Sequence, residues 1–218
     1  MSRLSLSADE VLRTTRAVRK RLDLDRPVAM TLIRECLDIA LQAPSGSNAQ
    51  GWQFVLVTDR GKIAAIADYY QRAFAEYEVS AYQPMEQHKD NPDMAETQAR
   101  VLSSAKYLAD NLGRVPALLI PCLQGRPDTP GLPLGAMAGM FGSIIPAVWS
   151  FMLAARERGL GTCWTTLHLD HERAVAELLG IPDDHAQVAL IPIAHTLGTD
   201  FKAAPRKPLD DVLHVNSW

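Results

Sequence analysis

Apolar residues recur with helical spacing in some segments of this chain and form short unbroken runs in others. Ile33, Cys36, Leu37, Ala40 and Leu41 repeat at i, i+3, i+4, i+7 and i+8, which predicts a helix entered at Pro27 with one buried face. Upstream, Ser7-Ala8-Asp9-Glu10 has the form of a capping box and predicts a short helix ending near the basic stretch 16–21. Spacing and composition predict further helices over residues 62–77, 94–111, 140–158 and 171–179, the last stopped by Gly180. Pro146 marks a kink or the first turn of the third of these. Apolar runs at 53–58, 117–122, 162–167 and 187–194 predict strands. Residues 81–93, polar and holding Pro84 and Pro92, read as a mobile excursion, and the Gly- and Pro-rich residues 124–135 as a loop. The tail from Phe201 onward, with Pro205 and Pro208, reads as extended. Helices outnumber strands and do not alternate with them one for one. The expected class is therefore α+β, one sheet packed among helices, in a single domain over residues 1–218.

Composition narrows the function classes. The chain has 218 residues, 47% of them hydrophobic and 22% charged, enough for one core of ordinary size. A net charge of −3 gives no global drive toward nucleic acid or an anionic membrane, so neither is an expected partner. Cys36, Cys122 and Cys163 are odd in number, and each lies in an apolar segment. That pattern points to buried free thiols in a reducing compartment, the cytoplasm. The first seven residues lack the apolar run of a signal peptide, and no later stretch reads as a membrane span.

Candidate chemistry gathers in a few places. Ala43-Pro44-Ser45-Gly46-Ser47-Asn48-Ala49-Gln50-Gly51-Trp52-Gln53-Phe54 joins a helix to a strand. Its small residues let backbone approach a ligand, its hydroxyl and amide groups can bond one, and Trp52 can anchor it in the core. Arg16 and Arg19, at i and i+3 near a helix end, can point at one object such as a phosphate, or form a solvated basic face. Lys202, Arg206 and Lys207, stiffened by Pro205 and Pro208, form a second basic group that reads equally as an exposed tail. His168-Leu169-Asp170-His171 is better explained as a strand-to-helix junction with Asp170 as N-cap than as a metal site. Close helix packing accounts for Gly135, Gly139 and Gly142 better than phosphate binding does. Cys163, beside Trp164 and Leu160, reads as a small buried hydrophobe and not a nucleophile. No nucleophile elbow, P-loop or H-E-x-x-H motif is present.

Four of these segments, taken in order, resemble the nitroreductase family of FMN enzymes. Arg16-Ala17-Val18-Arg19 looks like its R-S-x-R motif, with Ala17 in place of Ser. Residues 43–54 resemble A-P-S-x-x-N-x-Q-P-W-x-F, with Gly51 in place of Pro. Gly159-Leu160-Gly161-Thr162-Cys163-Trp164 matches G-L-G-T-C-W, and Arg206-Lys207-Pro208-Leu209-Asp210-Asp211-Val212 resembles the closing R-(K/R)-P-L-(D/E)-(D/E)-V. The resemblance implies a mainly antiparallel central sheet among helices, in a homodimer with an extended C-terminal tail. It implies FMN as cofactor, NADPH or NADH as donor, and ping-pong transfer to nitroaromatics, quinones or related acceptors. Flavin storage or sensing without turnover, or another flavin reaction such as dehalogenation or oxidation, are the alternatives.

Residue by residue, the resemblance gives the FMN phosphate to Arg16 and Arg206, with Lys202 and Lys207 as helpers and a backbone contact at Ala17. Arg19 goes to the N1–C2=O edge of the ring. A guanidinium about 4 Å from that edge, at an effective dielectric of about 20, contributes roughly 4 kcal/mol of gross attraction. Pro44, Ser45, Gly46 and Asn48 would line the flavin, often from the partner subunit. Cys163, Trp164, Thr165, Thr166 and Leu167 would run as a strand beside the ring, with a backbone N–H of Thr166 or Leu167 near N5. Residues 81–93 and 124–135 would shape the substrate opening.

Overall fold

Local signals in the chain are obeyed most clearly at its first helix. A computed structural model describes residues 3–218. There Ser7 Oγ accepts from the Glu10 N–H, and the Glu10 carboxylate accepts from the Ser7 N–H, opening α1 (Ala8–Thr14). The helix stops short of the basic stretch, since Thr15 is already extended at ψ 129°. A two-residue strand with no sequence signal, β1 (Leu22–Asp23), follows. Then come α2 (Met30–Ala40), β2 (Trp52–Val57) and α3 (Arg60–Glu78), the last capped by the Asp59 carboxylate. Residues 81–93 are more ordered than a plain excursion: they include α4 (Pro84–Gln87) and lead through a 3-10 turn into α5 (Ala95–Asn111).

The unbroken apolar run 117–122 belongs to β3 (Ala117–Gln124), which is buried on both faces. Leu119 and Leu123 pack toward Ile33, Cys36 and Phe151, whereas Leu118, Ile120 and Cys122 pack toward Ile63, Ile66 and Leu108. This period of two divides the core into two layers: α2 with α6 (Leu134–Glu157) on one face, α3 with α5 on the other. β4 (Leu160–Thr162), α7 (Glu172–Leu179), β5 (His185–Gln187) and β6 (Ile191–Thr196) complete the chain. The sheet runs β1-β6-β3-β2, with β4 on β6 and β5 on β3, every ladder antiparallel. Helices packed on both faces of an antiparallel sheet match the expected α+β class.

Three strand and helix boundaries differ from the sequence reading for identifiable reasons. The strand expected at 187–194 is split, because Leu190 turns away and exchanges both backbone hydrogen bonds with Thr165, at 2.8 and 3.2 Å. Pro121 of β3 accepts from the Val188 N–H at 2.9 Å but has no N–H to return. The strand expected at 162–167 shrinks to β4 plus that single Thr165 bridge, and Leu167–His171 forms a 3-10 turn. Helix α6 begins at Leu134, inside the expected loop, and continues through Pro146.

Two further expectations are corrected on α6. A Cβ built at Gly135, Gly139 or Gly142 would meet nothing within 4 Å, so close packing inside the chain does not explain these glycines. By length and composition α6, with a mean hydropathy of 1.6, is sufficient to cross a membrane, contrary to the sequence reading. In this fold it packs on α2, β3 and β4.

Candidate active site

The structure moves the two N-terminal arginines off the helix where spacing had put them. Residues 16–18 are extended alongside β4, with Ala17 bridging Thr162 and the Val18 N–H donating to Thr162 C=O at 2.8 Å. Arg19 lies at the bend that follows, where its carbonyl accepts from the Leu22 N–H, so Arg16 and Arg19 address different surroundings. Gly161 makes the close approach possible, since a Cβ there would sit 2.9 Å from Val18, Leu22 and Thr196 side-chain carbons.

Arg16 faces the C-terminal tail. Its Nε and Nη2 donate to the Lys202 carbonyl at 3.1 and 2.8 Å, and its Nη1 to the Thr15 carbonyl at 3.3 Å. Burial first, and then the charge of nearby Arg206, disfavour its protonated form. Arg206 itself is exposed, and its Nη1 donates to the carbonyl of neighbouring Pro205 at 3.0 Å. Lys202 contributes its carbonyl to this end, and Lys207 is exposed.

Arg19 faces the α3–α5 layer. Its Nη1 donates to Ser104 Oγ at 3.3 Å, and its charge acts on Tyr70, Tyr77 and Cys163. The Tyr70 hydroxyl lies 2.8 Å from Thr165 Oγ1, and burial pushes its pKa up to about 12. Cys163 is fully buried, and burial raises its pKa, with Arg19 opposing in part. It is a neutral thiol in a packed wall, as its apolar neighbours suggest. Thr166, three residues on, is exposed. Among the described residues no carboxylate pairs with Arg16, Arg19 or Arg206.

The decorated loop lies in the other layer. Trp52 anchors it in the α2–α6 core at 8% exposure, and the Gly46 N–H donates to Ser143 Oγ of α6 at 3.0 Å. Ser45 Oγ accepts from the Gln50 N–H at 3.0 Å, and Asn48 Oδ1 from Gln50 Nε2 at 3.2 Å. Ser47, Asn48 and Gln50 all have φ between 50° and 54°, a conformation non-glycine residues hold only when their surroundings impose it. Pro44 is exposed beside them. A cavity of about 290 Å³ lies between this loop and Gly139, Met140 and Ser143 of α6. Among the described residues no hydrogen bond joins residues 43–50 to Arg16, Arg19 or Arg206. Nothing in the structure explains Gly51.

Some features had no sequence signal. A cavity of about 620 Å³ is lined by Arg126, Asp128, Phe141, Leu169, His171 and Val188 among others. Arg126 is spoken for, pairing with Asp128 and with Glu172 at 2.8 and 2.9 Å, which fastens the 124–135 segment to α7. In the His168 segment the N-cap of α7 is His171, without a side-chain cap bond, and Asp170 does not cap. His171 instead packs on Tyr69, ring centroids 5.2 Å apart.

The nitroreductase family model matches residues 12–195, from the end of α1 to the end of β6. The chain belongs to the nitroreductase family. This family member is 27% identical to the 4-nitrobenzoate reductase of Nocardioides sp. (strain LMS-CY), over 93% of this chain and 87% of that one. It is 30% identical to the 5,6-dimethylbenzimidazole synthase of Rhodospirillum rubrum, over 76% of this chain and 71% of that one. The solved FMN and NADPH-dependent nitroreductase NfnB from sphigopyxis sp. strain HMH superposes with a TM-score of 0.67. The two are 25% identical, with 98% of this chain and 100% of that one covered. Members of the nitroreductase family are flavoprotein oxidoreductases. The residues here fit a flavin mononucleotide in their chemistry: Arg16, Arg19 and Arg206 are cations without carboxylate partners among the described residues.

Proposed function

We propose that this chain is an FMN-dependent oxidoreductase that passes electrons from NADPH or NADH to a small oxidised acceptor such as a nitroaromatic or a quinone. The observation that carries this reading is Arg16, held by the Lys202 carbonyl of the tail and without a carboxylate partner among the described residues. A guanidinium without a counter-ion can take an anion in charge-assisted hydrogen bonds, and a phosphate monoester supplies one. Lys202 and Lys207 add positive charge on the same tail. Arg19 presents a fixed cation toward the N1–C2=O edge of the ring, and residues 163–167 form the wall beside it. Bound FMN supplies the redox chemistry itself. Arg19 is held by Ser104, and Thr165 by Tyr70 and the Leu190 backbone, so these groups are oriented before any ligand arrives.

In this reading the working unit is a homodimer, and Pro44, Ser45, Gly46 and Asn48 reach the flavin of the other subunit. Supporting this, the loop is seated on α6, away from the arginines of its own chain. Only 28% of the apolar stretch of α6 is buried, while Ile145 and Trp149 are 43% and 40% exposed and the glycines leave open space beside them. The whole chain acts as one domain, and free buried cysteines suit the cytoplasm.

A second reading keeps the fold and cofactor but changes the reaction, and the 5,6-dimethylbenzimidazole synthase relative favours it. The visible spectrum of the purified protein tests the cofactor. Addition of NADPH or NADH without oxygen should bleach it, and a nitroaromatic or quinone should restore it. Flavin that no nicotinamide donor bleaches would leave a storage or sensor protein. Bleaching without recovery on either acceptor would favour the second reading.

A further inference from the structure

The phosphate end depends on residues 197–202, and two arginines outside the family motifs hold that segment. Arg21 Nε donates to the Leu197 carbonyl at 2.8 Å, the Leu197 N–H donates back to the Arg21 carbonyl at 2.8 Å, and Arg21 Nη2 pairs with Asp200. Gly198, at φ +77°, leaves room for that side chain, since a Cβ there would lie 2.7 Å from Arg21 Nη2. Arg156, from the last turn of α6, donates to the Thr199 carbonyl at 3.0 Å and to Thr14 Oγ1 at 3.3 Å. The Phe201 ring lies against both guanidinium groups, 4.3 Å from Arg21 Cζ and 5.0 Å from Arg156 Cζ.

Arg156 is the unusual member. It is 5% exposed, its Nε and Nη1 have no hydrogen-bond partner, and no carboxylate pairs with it among the described residues. A buried cation with two open nitrogens is costly; nearby Glu157 offsets part of that cost, and the face of an aromatic ring is a further compensating group within reach. Burial disfavours the Arg156 charge, nearby Glu157 favours it and Arg21 opposes it, while the Phe201 ring lies near both guanidinium groups. The next residue, Lys202, supplies the carbonyl that holds Arg16.

We propose that Arg21, Arg156 and Phe201 are positioning residues for the cofactor phosphate. The ring held against two guanidinium groups fixes the tail, so that the Lys202 carbonyl locks Arg16 and the tail presents Arg206. None of the three touches the phosphate; they act through Arg16 and Arg206. This rests on the FMN reading above, and it assigns discrimination between phosphorylated and unphosphorylated flavin to a clamp remote from the ring.

The test titrates flavin-stripped, full-length protein with FMN and with riboflavin, which differ by the phosphate, following quenching of flavin fluorescence. Phe201→Ala should weaken FMN binding roughly tenfold, the order of one desolvated cation–π contact, and leave riboflavin binding unchanged. Phe201→Trp, which keeps an aromatic face, should retain the preference for FMN. Equal weakening of both ligands, or no change in their ratio, would overturn the clamp. Should Phe201→Ala fail to fold, Arg21→Met, at a position 36% exposed, asks the same question with the same expected loss. A parent protein that itself binds the two flavins equally would instead remove the phosphate reading on which the clamp rests.

Discussion

At the scale of single residues, this fold distinguishes charged groups that are answered from those left open. Arg126 and Arg158 find carboxylates within the chain, while Arg16, Arg19 and Arg206 do not. His168 is the complementary case, a buried ring with neither nitrogen hydrogen-bonded. Burial lowers its pKa from 6.5 to about 4, and nearby Gln187 offsets this only in part. The unfolded chain therefore binds a proton that the folded chain refuses between those values, so stability rises with pH across that window. As pH falls from about 6.5 toward 4, the parent should lose up to about 1.4 kcal/mol per pH unit through this group. Urea unfolding of the parent and of His168→Leu at a series of pH values measures it. The variant should lack that part of the slope, and parallel curves would refute the assignment.

At the scale of elements, α6 serves two surfaces. Ile144, Ala147, Val148 and Phe151 fill the layer shared with α2, while Ile145 and Trp149 point outward. A helix apolar all round needs cover on both sides. If a second copy supplies it, Ile145→Glu places an unpaired charge in a desolvated seam, costing several kcal/mol per interface. Sedimentation should then shift from dimer to monomer, with the far-UV circular dichroism of the chain retained. An unchanged dimer would move the interface elsewhere. The same helix carries Ser143, which holds Gly46, so loss of the dimer should also lower flavin retention.

For the whole molecule, the expected flavin site spans segments remote in sequence: residues 16–19, 163–167 and 202–206 from one chain, and residues 44–48 from the other. A ligand that bridges such segments binds only the folded state and stabilises it by mass action. Adding FMN at about a hundred times its dissociation constant should contribute roughly 2.7 kcal/mol, read as a rise in Tm of the flavin-stripped protein. Riboflavin at the same concentration should raise it less. An identical Tm with and without FMN would contradict the site.

What the sequence by itself determined was mainly local. The Ser7 capping box, the Gly180 stop at φ 71°, the buried Ile33, Cys36 and Ala40 of α2 and the run of β3 each depend on near neighbours and appear where expected, although α2 starts at Met30 and leaves Leu41 exposed. The four motifs also sufficed to place the chain in its family. Tertiary structure decided the rest, because backbone hydrogen bonds and contacts between distant segments override local preference. It set Arg16 on the stretch that runs against β4 and Arg19 at the bend after it, where spacing alone suggested one helical face. It divided residues 187–194 by turning Leu190 to Thr165, and it brought Arg21, Arg156 and Phe201 together from three separate elements. No periodicity encodes such meetings, since each depends on where the sheet places residues far apart in the chain.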